Sequence, residues 1–96
     1  MALAYIVNFT VDSINIEKTK ALSLALQEET RREPGCRQYV FHQCVEEPNR
    51  FLIYEVYDDM AALETHRATE HFQRYVKVGL WPITETHVAN PGVPLD

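Results

Sequence analysis

The stretch that decides the fold, residues 35–72, reads GCRQYVFHQCVEEPNRFLIYEVYDDMAALETHRATEHF. Residues 36–45 and 50–57 alternate like β-strands, and the polar turn at residues 46–49 joins them. They therefore predict an antiparallel hairpin. Asp58 or Asp59 then caps a helix over residues 60–67, which a break at residues 68–69 separates from a further helix.

The flanking sequence completes an α+β fold. Residues 3–11 alternate with apolar side chains on both faces, which predicts a central strand covered on both sides. Residues 16–33 have helical spacing, and Pro34 and Gly35 end that helix. A last strand is expected over residues 81–88, with Pro82 at its start and Gly79 ending the helix before it. The order β-α-β-β-α-β predicts a ferredoxin-like split βαβ arrangement with helices on one face of an antiparallel sheet.

Size, charge and cysteine content narrow the class of protein. The 96 residues predict one domain, with a core over residues 3–88 and an irregular tail over 89–96. A net charge of −5 argues against nucleic acid or an anionic membrane as partner. No apolar run approaches the roughly 20 residues of a membrane span, so we expect a cytoplasmic protein. Cys36 and Cys44 would lie about 26 Å apart on one strand, too far for a disulfide.

The candidate site residues are isolated ionisable or amide side chains in apolar surroundings. Glu55 lies in the middle of a covered strand, where it either forms a structural salt bridge or orients an imidazole in a pocket. His66 and His71 are packed core residues or acid–base groups. Asn8 is either a satisfied amide or a hydrogen-bond donor into a pocket. No two histidines have i, i+4 spacing on one helix, so no metal site is expected.

Three segments together resemble the antibiotic biosynthesis monooxygenase family: EPGCRQY, RFLIYEVYDD and AALETHRATEHFQRY. The shared pattern is a Glu-x-Gly-Cys helix exit, a Phe-x-x-x-Glu-x-aromatic strand, and a helix ending in His-x-x-(Ser/Thr)-x-His-Phe. The resemblance covers about residues 3–88. It implies a homodimer in which two ferredoxin-like sheets form an α+β barrel.

The resemblance also implies chemistry. Some members oxygenate anthrone- or quinol-type substrates with O₂ and no metal or flavin, others isomerise small phosphorylated metabolites, and others degrade haem. The haem branch has Trp near position 66 and a histidine about ten residues later, whereas this chain has His66 and Val76. Carried over by position, the catalytic residues are His66, Glu55 and Asn8.

The first hypothesis is therefore a cofactor-independent monooxygenase of a small aromatic quinol or anthrone-like substrate. Flat substrates stack on aromatic walls, although an aromatic row at strand spacing fits a dimer core equally well. The expected substrate-binding residues are Tyr39, Phe41, Tyr57, His71, Phe72 and Tyr75. The alternatives are an isomerase using His66 and Glu55 as acid and base, for which Arg37 or Arg50 would line the pocket, and a non-enzymatic ligand-binding dimer.

Overall fold

A computed structural model describes residues 1–95 as four strands and three helices in the predicted order. A 3₁₀ turn, Ser13–Asn15, leads into the first helix, and another, Trp81–Ile83, leads into the last strand. The main elements are β1 Leu3–Val11, α1 Ile16–Thr30, β2 Cys36–Gln43, β3 Arg50–Tyr57, α2 Met60–Arg67, the π-helix Phe72–Leu80 and β4 Thr84–Gly92.

The strands form one antiparallel sheet in the order β2-β3-β1-β4. Val7 lies opposite Ile53 of β3 and opposite Ala89 of β4, so β1 is central, as predicted. The helices cover one face of this sheet, where Leu26 of α1 and Leu63 of α2 are buried in the hydrophobic core. The predicted α+β, ferredoxin-like arrangement is confirmed.

The second face of the sheet is open in the single chain, so the expected cover on that side of β1 has to come from outside the chain. Ile6 of β1 is 52% exposed. Its cross-strand partner Tyr54 and the nearby Val88 are exposed as well. Strand alternation is responsible, because residues next to each other in a strand point to opposite faces and the helices pack on one face only. Within residues 1–95, no helix is both long and apolar enough to cross a membrane.

Side-chain capping marks the start of α2 and of the helical segment that follows it. The carboxylate of Asp59 accepts a hydrogen bond from the backbone N–H of Ala62 at 2.9 Å, which fixes the start of α2 as predicted. The hydroxyl oxygen of Thr69 accepts a hydrogen bond from the backbone N–H of Phe72 and so caps the helical turn that follows. The helix α1 ends at Thr30 rather than at residue 33, and a turn carries the chain to β2.

The C-terminal elements differ from the prediction. Pro82 lies in the 3₁₀ turn, and β4 starts two residues later and continues through residues 89–92, which were expected to be irregular. Pro91 lies opposite Tyr5 on an edge strand, where a missing N–H is tolerated. Gly79 does not end its helix. A β-carbon there would lie 3.0 Å from the side chain of Leu22, so this glycine allows α1 to pack closely. Asp96, in the predicted tail, lies outside the described residues.

Candidate functional site

A cavity of about 470 Å³ lies between the sheet, on its helix-covered face, and two helices, α2 and the π-helix. Its walls are mostly apolar, as in typical small-molecule sites, with a few polar side chains. Each covering element contributes to the wall. The lining residues are Tyr5, Val7, Phe9, Leu26, Tyr39, Ile53, Glu55, Leu63, His66, Arg67, Phe72, Val76, Leu80, Trp81, Thr84, Glu85, Thr86, His87 and Ala89.

The imidazole of His66 is a deeply buried part of this wall. It projects from the last turn of α2 and is 2% exposed. Aromatic rings surround it, with centroids at 5.5 Å for Tyr39, 5.3 Å for Tyr57 and 5.1 Å for Phe72. These rings fix the orientation of the imidazole, since it cannot rotate without displacing them.

A carboxylate from outside the predicted site binds this imidazole. Oε2 of Glu33 lies 2.8 Å from Nδ1 of His66 and 2.5 Å from Nε2 of His71. Burial raises the pKa of Glu33, but hydrogen bonds and charge interactions with the two histidines outweigh burial and leave that pKa below its ordinary value. Glu33 is therefore an ionised acceptor at neutral pH, so Nδ1 of His66 and Nε2 of His71 carry the hydrogens and donate them.

This protonation state leaves the other nitrogen of His66 as an acceptor. When the imidazole of His66 is neutral, its single N–H is on Nδ1, where Glu33 accepts it, and Nε2 is then the acceptor nitrogen. Since His66 lines the cavity, it can receive a proton from a bound molecule. A carboxylate that fixes the tautomer of a histidine base is a recurrent catalytic arrangement.

Glu55 has a different environment from the one expected. It lines the cavity, but its Oε1 accepts a hydrogen bond from the hydroxyl of Tyr57 at 2.7 Å, and Glu33 is the carboxylate hydrogen-bonded to His66. Burial raises the pKa of Glu55, against the opposing effects of the Tyr57 hydrogen bond and the nearby His66. Burial therefore favours the protonated form of Glu55, in which the carboxyl group can donate a hydrogen bond.

Asn8 is not brought together with His66 and Glu55. It lies one residue from Val7 and Phe9, which line the cavity, so strand alternation directs it to the opposite, open face. There its Oδ1 accepts a hydrogen bond from Nη1 of Arg50 at 2.5 Å. The assignment of Asn8 to the pocket by family position is corrected by this placement.

The predicted aromatic wall divides into two groups. Tyr39 and Phe72 line the cavity. Phe41, Tyr57, His71 and Tyr75 are not part of its lining; Phe41 packs edge-on against Tyr39, and Tyr57 is fully buried behind the wall. His71 and Tyr75 belong to a second, smaller cavity, which is lined by side chains of α1 and of the segment around the start of the π-helix.

Several lining residues were missed by sequence reasoning. Arg67 and Trp81 lie at exposed positions of the wall, and β4 contributes Glu85 and His87. The position of Arg67 directly after His66 is the only local signal for it. Glu33 lies in the quoted EPGC segment, but its partners follow it by 33 and 38 residues, and local patterns do not report contacts of that separation.

Comparison with known proteins identifies the family. The sequence profile described as antibiotic biosynthesis monooxygenase matches residues 3–78. The chain therefore belongs to the antibiotic biosynthesis monooxygenase family, as the three sequence segments predicted.

Two relatives align with part of the chain. It is 39% identical over 70 residues to the uncharacterized protein sll1783 of Synechocystis, covering 73% of this chain and 48% of that protein. It is 38% identical over 55 residues to YcnE of Bacillus subtilis, which is named as a candidate monooxygenase, covering 57% of this chain and 58% of YcnE. The chain thus spans about half the length of these relatives.

Similarity to solved structures extends over the whole fold. The crystal structure of PA3566 from Pseudomonas aeruginosa superposes with a TM-score of 0.91 at 30% identity, covering 99% of this chain and 95% of that one. This agreement includes the region of β4 that lies beyond the matched sequence profile.

Proposed function

We propose that this protein is a monooxygenase that oxidises a small aromatic quinol or anthrone-like substrate with O₂ and without a cofactor. One oxygen atom enters the substrate and the other leaves as water. The observation that carries the proposal is the Glu33–His66 pair. His66 lines a largely apolar cavity large enough for a few fused rings, and Glu33 holds its Nδ1, which leaves Nε2 as the nitrogen that can accept a proton.

The chemistry follows from this arrangement. A phenol or anthrone must lose a proton before it transfers an electron to O₂, and Nε2 of His66 receives that proton. The resulting imidazolium donates to the carboxylate of Glu33, which stabilises it. Burial favours the protonated form of Glu55, and in that form its carboxyl group can donate a hydrogen bond to the oxyanion that forms on the substrate. Tyr39 and Phe72 contact the flat faces of the rings.

The test is oxygen uptake with anthrone and with dihydroxynaphthalene as substrates. We expect His66→Ala to lower kcat by about 10²- to 10⁴-fold, the usual contribution of a general base. His42→Ala is the matched control, because His42 is exposed on β2 and does not line the cavity. Equal rates in wild type and His66→Ala would remove His66 from the mechanism.

An isomerase of a small anionic metabolite is the second candidate. The predicted cations do not favour it, since Arg37 pairs with Asp58, Arg50 pairs with Glu47, and neither lines the cavity. Arg67 does line the cavity, with its guanidinium 5.4 Å from the ring centroid of Tyr5, and it could hold an anionic group. Turnover of a phosphorylated hydroxyketone without oxygen uptake would favour this candidate. A merely ligand-binding role is favoured by a fully apolar site around His66, whereas Glu55 and Arg67 also line this cavity.

We further propose that residues 1–96 act as one domain that pairs as a homodimer through the open face of the sheet. The exposed Ile6, Tyr54 and Val88 on that face support the pairing, since a monomer would leave these side chains in water. We also propose a cytoplasmic location, in keeping with the unpaired thiols of Cys36 and Cys44.

A further inference from the structure

Three potential metal ligands converge beside the cavity. Glu33 comes from the turn after α1, His66 from the end of α2, and His71 from the start of the π-helix. Their nearest ligand atoms all lie within 4.8 Å of one another. We propose that Glu33, His66 and His71 form a binding site for a divalent transition-metal ion such as Zn²⁺, and that the ion switches off His66 as a base.

The donor set suits this class of ion. Two imidazole nitrogens and one carboxylate oxygen are the three protein ligands of many zinc sites, with a fourth position left for water. Ligand atoms at ~2.0–2.2 Å from a tetrahedral zinc ion are roughly 3.4 Å apart. Oε2 of Glu33 is at 2.8 Å and 2.5 Å from the two ring nitrogens, so this carboxylate must move away from both nitrogens to admit the ion.

The chain also provides a route for the ion that avoids the main cavity. His71 lines a second cavity, of about 330 Å³, which opens on the outside of the helices. Glu29 and Glu70 lie in its wall and attract cations, although Arg74 beside them offsets part of that charge. A hydrated ion can therefore reach His71 first and then Glu33 and His66 behind it. The exposure of the side chains falls along this path, from 16% at His71 to 2% at His66.

Binding of the metal ion would change which nitrogen carries the hydrogen in the rings of His66 and His71. In the absence of the ion, Nδ1 of His66 and Nε2 of His71 carry the hydrogens that Glu33 accepts. A metal ion bound to those two nitrogens moves each hydrogen to the other nitrogen of its ring, with no net gain or loss of protons. Nε2 of His66 then becomes a donor toward the cavity and cannot accept a proton from substrate. This second half of the inference rests on the proposed function, whereas the binding half does not.

This inference departs from the expectation that the chain has no metal site. That expectation considered only histidine pairs with i, i+4 spacing on one helix. His66 and His71 are five residues apart with a turn between them, and the carboxylate that joins them comes from a distant part of the sequence.

Metal titration of the chelator-treated protein tests the binding. Zn²⁺ is followed by calorimetry and Co²⁺ by its visible absorption, which reports the coordination number. We expect one ion per chain, with affinity reduced at least about tenfold in His71→Ala and in Glu33→Gln. His42→Ala and His87→Ala should bind as wild type does. If His71→Ala does not fold, His71→Gln replaces it, since its amide can still donate to Glu33. An absence of stoichiometric binding, or equal affinity in the His71 variant, overturns the proposal.

Two further measurements separate this inference from the proposed function. The ¹⁵N spectra of the histidine rings report which nitrogen carries the hydrogen. On addition of Zn²⁺ they should show that the hydrogen of His66 has moved from Nδ1 to Nε2, whether or not the protein turns over a substrate. In the oxygen-uptake assay, Zn²⁺ should inhibit wild type but not change the rate of His71→Ala relative to its own metal-free rate. Binding with the expected tautomer change but no oxygen uptake would contradict the proposed function alone. Oxygen uptake that depends on His66 but ignores Zn²⁺ would contradict this inference alone.

Discussion

Gly35 and Ala62 approach each other so closely that a β-carbon on residue 35 would lie 2.5 Å from the β-carbon of Ala62. Real β-carbons essentially never make contacts that short. The carbonyl of Gly35 also accepts a hydrogen bond from the N–H of Asp58 at 2.9 Å, just before α2 begins. This contact therefore sets the distance between the turn that carries Glu33 and the helix that carries His66.

Replacing this glycine should destabilise the fold. We expect Gly35→Ala to lower the free energy of unfolding by about 1–3 kcal/mol, because the added methyl forces the turn away from α2. Urea denaturation measures the change. Adding Ala62→Gly should recover part of the loss, and Gly92→Ala is the control, since no atom lies within 4 Å of its added carbon. A Gly35→Ala protein as stable as wild type would contradict the argument.

Glu33→Gln should slow turnover without weakening substrate binding. The amide cannot stabilise the imidazolium of His66 as a carboxylate does, so we expect kcat for oxygen uptake to fall about 10- to 100-fold. KM should change little, because Glu33 is not among the residues lining the cavity. Glu28→Gln is a matched control, as Glu28 is an exposed residue paired with Arg32. A change confined to KM would argue that Glu33 acts on binding instead.

Glu55→Gln should stabilise the protein at neutral pH. The pKa of Glu55 is raised in the folded state by burial, so the folded chain holds this proton more tightly than the unfolded chain. The contribution of Glu55 to the stability of the fold is therefore complete below the pKa of the unfolded chain, about 4.5. It is lost as the pH rises through the higher pKa of the folded chain. The glutamine variant should melt at a higher temperature than wild type at pH 7, with the difference vanishing below pH 4.5. A variant less stable at pH 7 would show that the charged form is better accommodated than burial implies.

The lowered pKa of Glu33 predicts the opposite pH dependence of stability. Its pKa is lowered in the folded state, so its contribution to stability is present above its unfolded pKa of about 4.5 and is lost as pH falls through the lower folded pKa. Thermal melts of wild type and Glu33→Gln should therefore differ at pH 6 and converge in strongly acidic buffer. A difference that stays constant between those conditions would show that ionisation of Glu33 is not its source.

A charged side chain on the open face of the sheet should block dimer formation. We expect wild type to elute in gel filtration at twice its chain mass of 11.1 kDa, and Ile6→Glu to elute as a single chain with an unchanged circular dichroism spectrum. Val78→Glu is the control, because Val78 is more exposed than Ile6 but lies on the π-helix. A wild-type monomer would remove the pairing model.

Local signals predicted the middle of the fold well. The bounds of β3 and α2 follow from strand alternation and from the Asp59 cap, both of which act over a few residues. The predicted bounds were wrong at β4, which was expected over residues 81–88 with Pro82 at its start, and where Pro91 and Gly92 indicated an irregular tail. Pairing with β1 along an edge outweighs those preferences, and pairing of that kind is not visible in a short window of sequence.

The site was predictable to the level of its histidine. His66 was expected to border a pocket because it lies on the apolar face of α2 and within a family segment. Its partner was assigned to Glu55 because that carboxylate lies on a covered strand. The structure places Glu33 there instead, since the turn after α1 packs against the end of α2. Asn8 was carried over by family position, against the strand alternation that directs it to the open face.

The cluster around Glu33 has a consequence for how the chain folds. Its two hydrogen bonds link residues separated by 33 and 38 positions, and the whole β2–β3 hairpin lies between them. Closing so long a loop costs entropy until the hairpin has formed and α2 has docked. These bonds should therefore form after the folding transition state, so that weakening them accelerates unfolding and leaves the refolding rate nearly unchanged. The cluster that holds the candidate base would then also slow unfolding, and so determine the lifetime of the folded state.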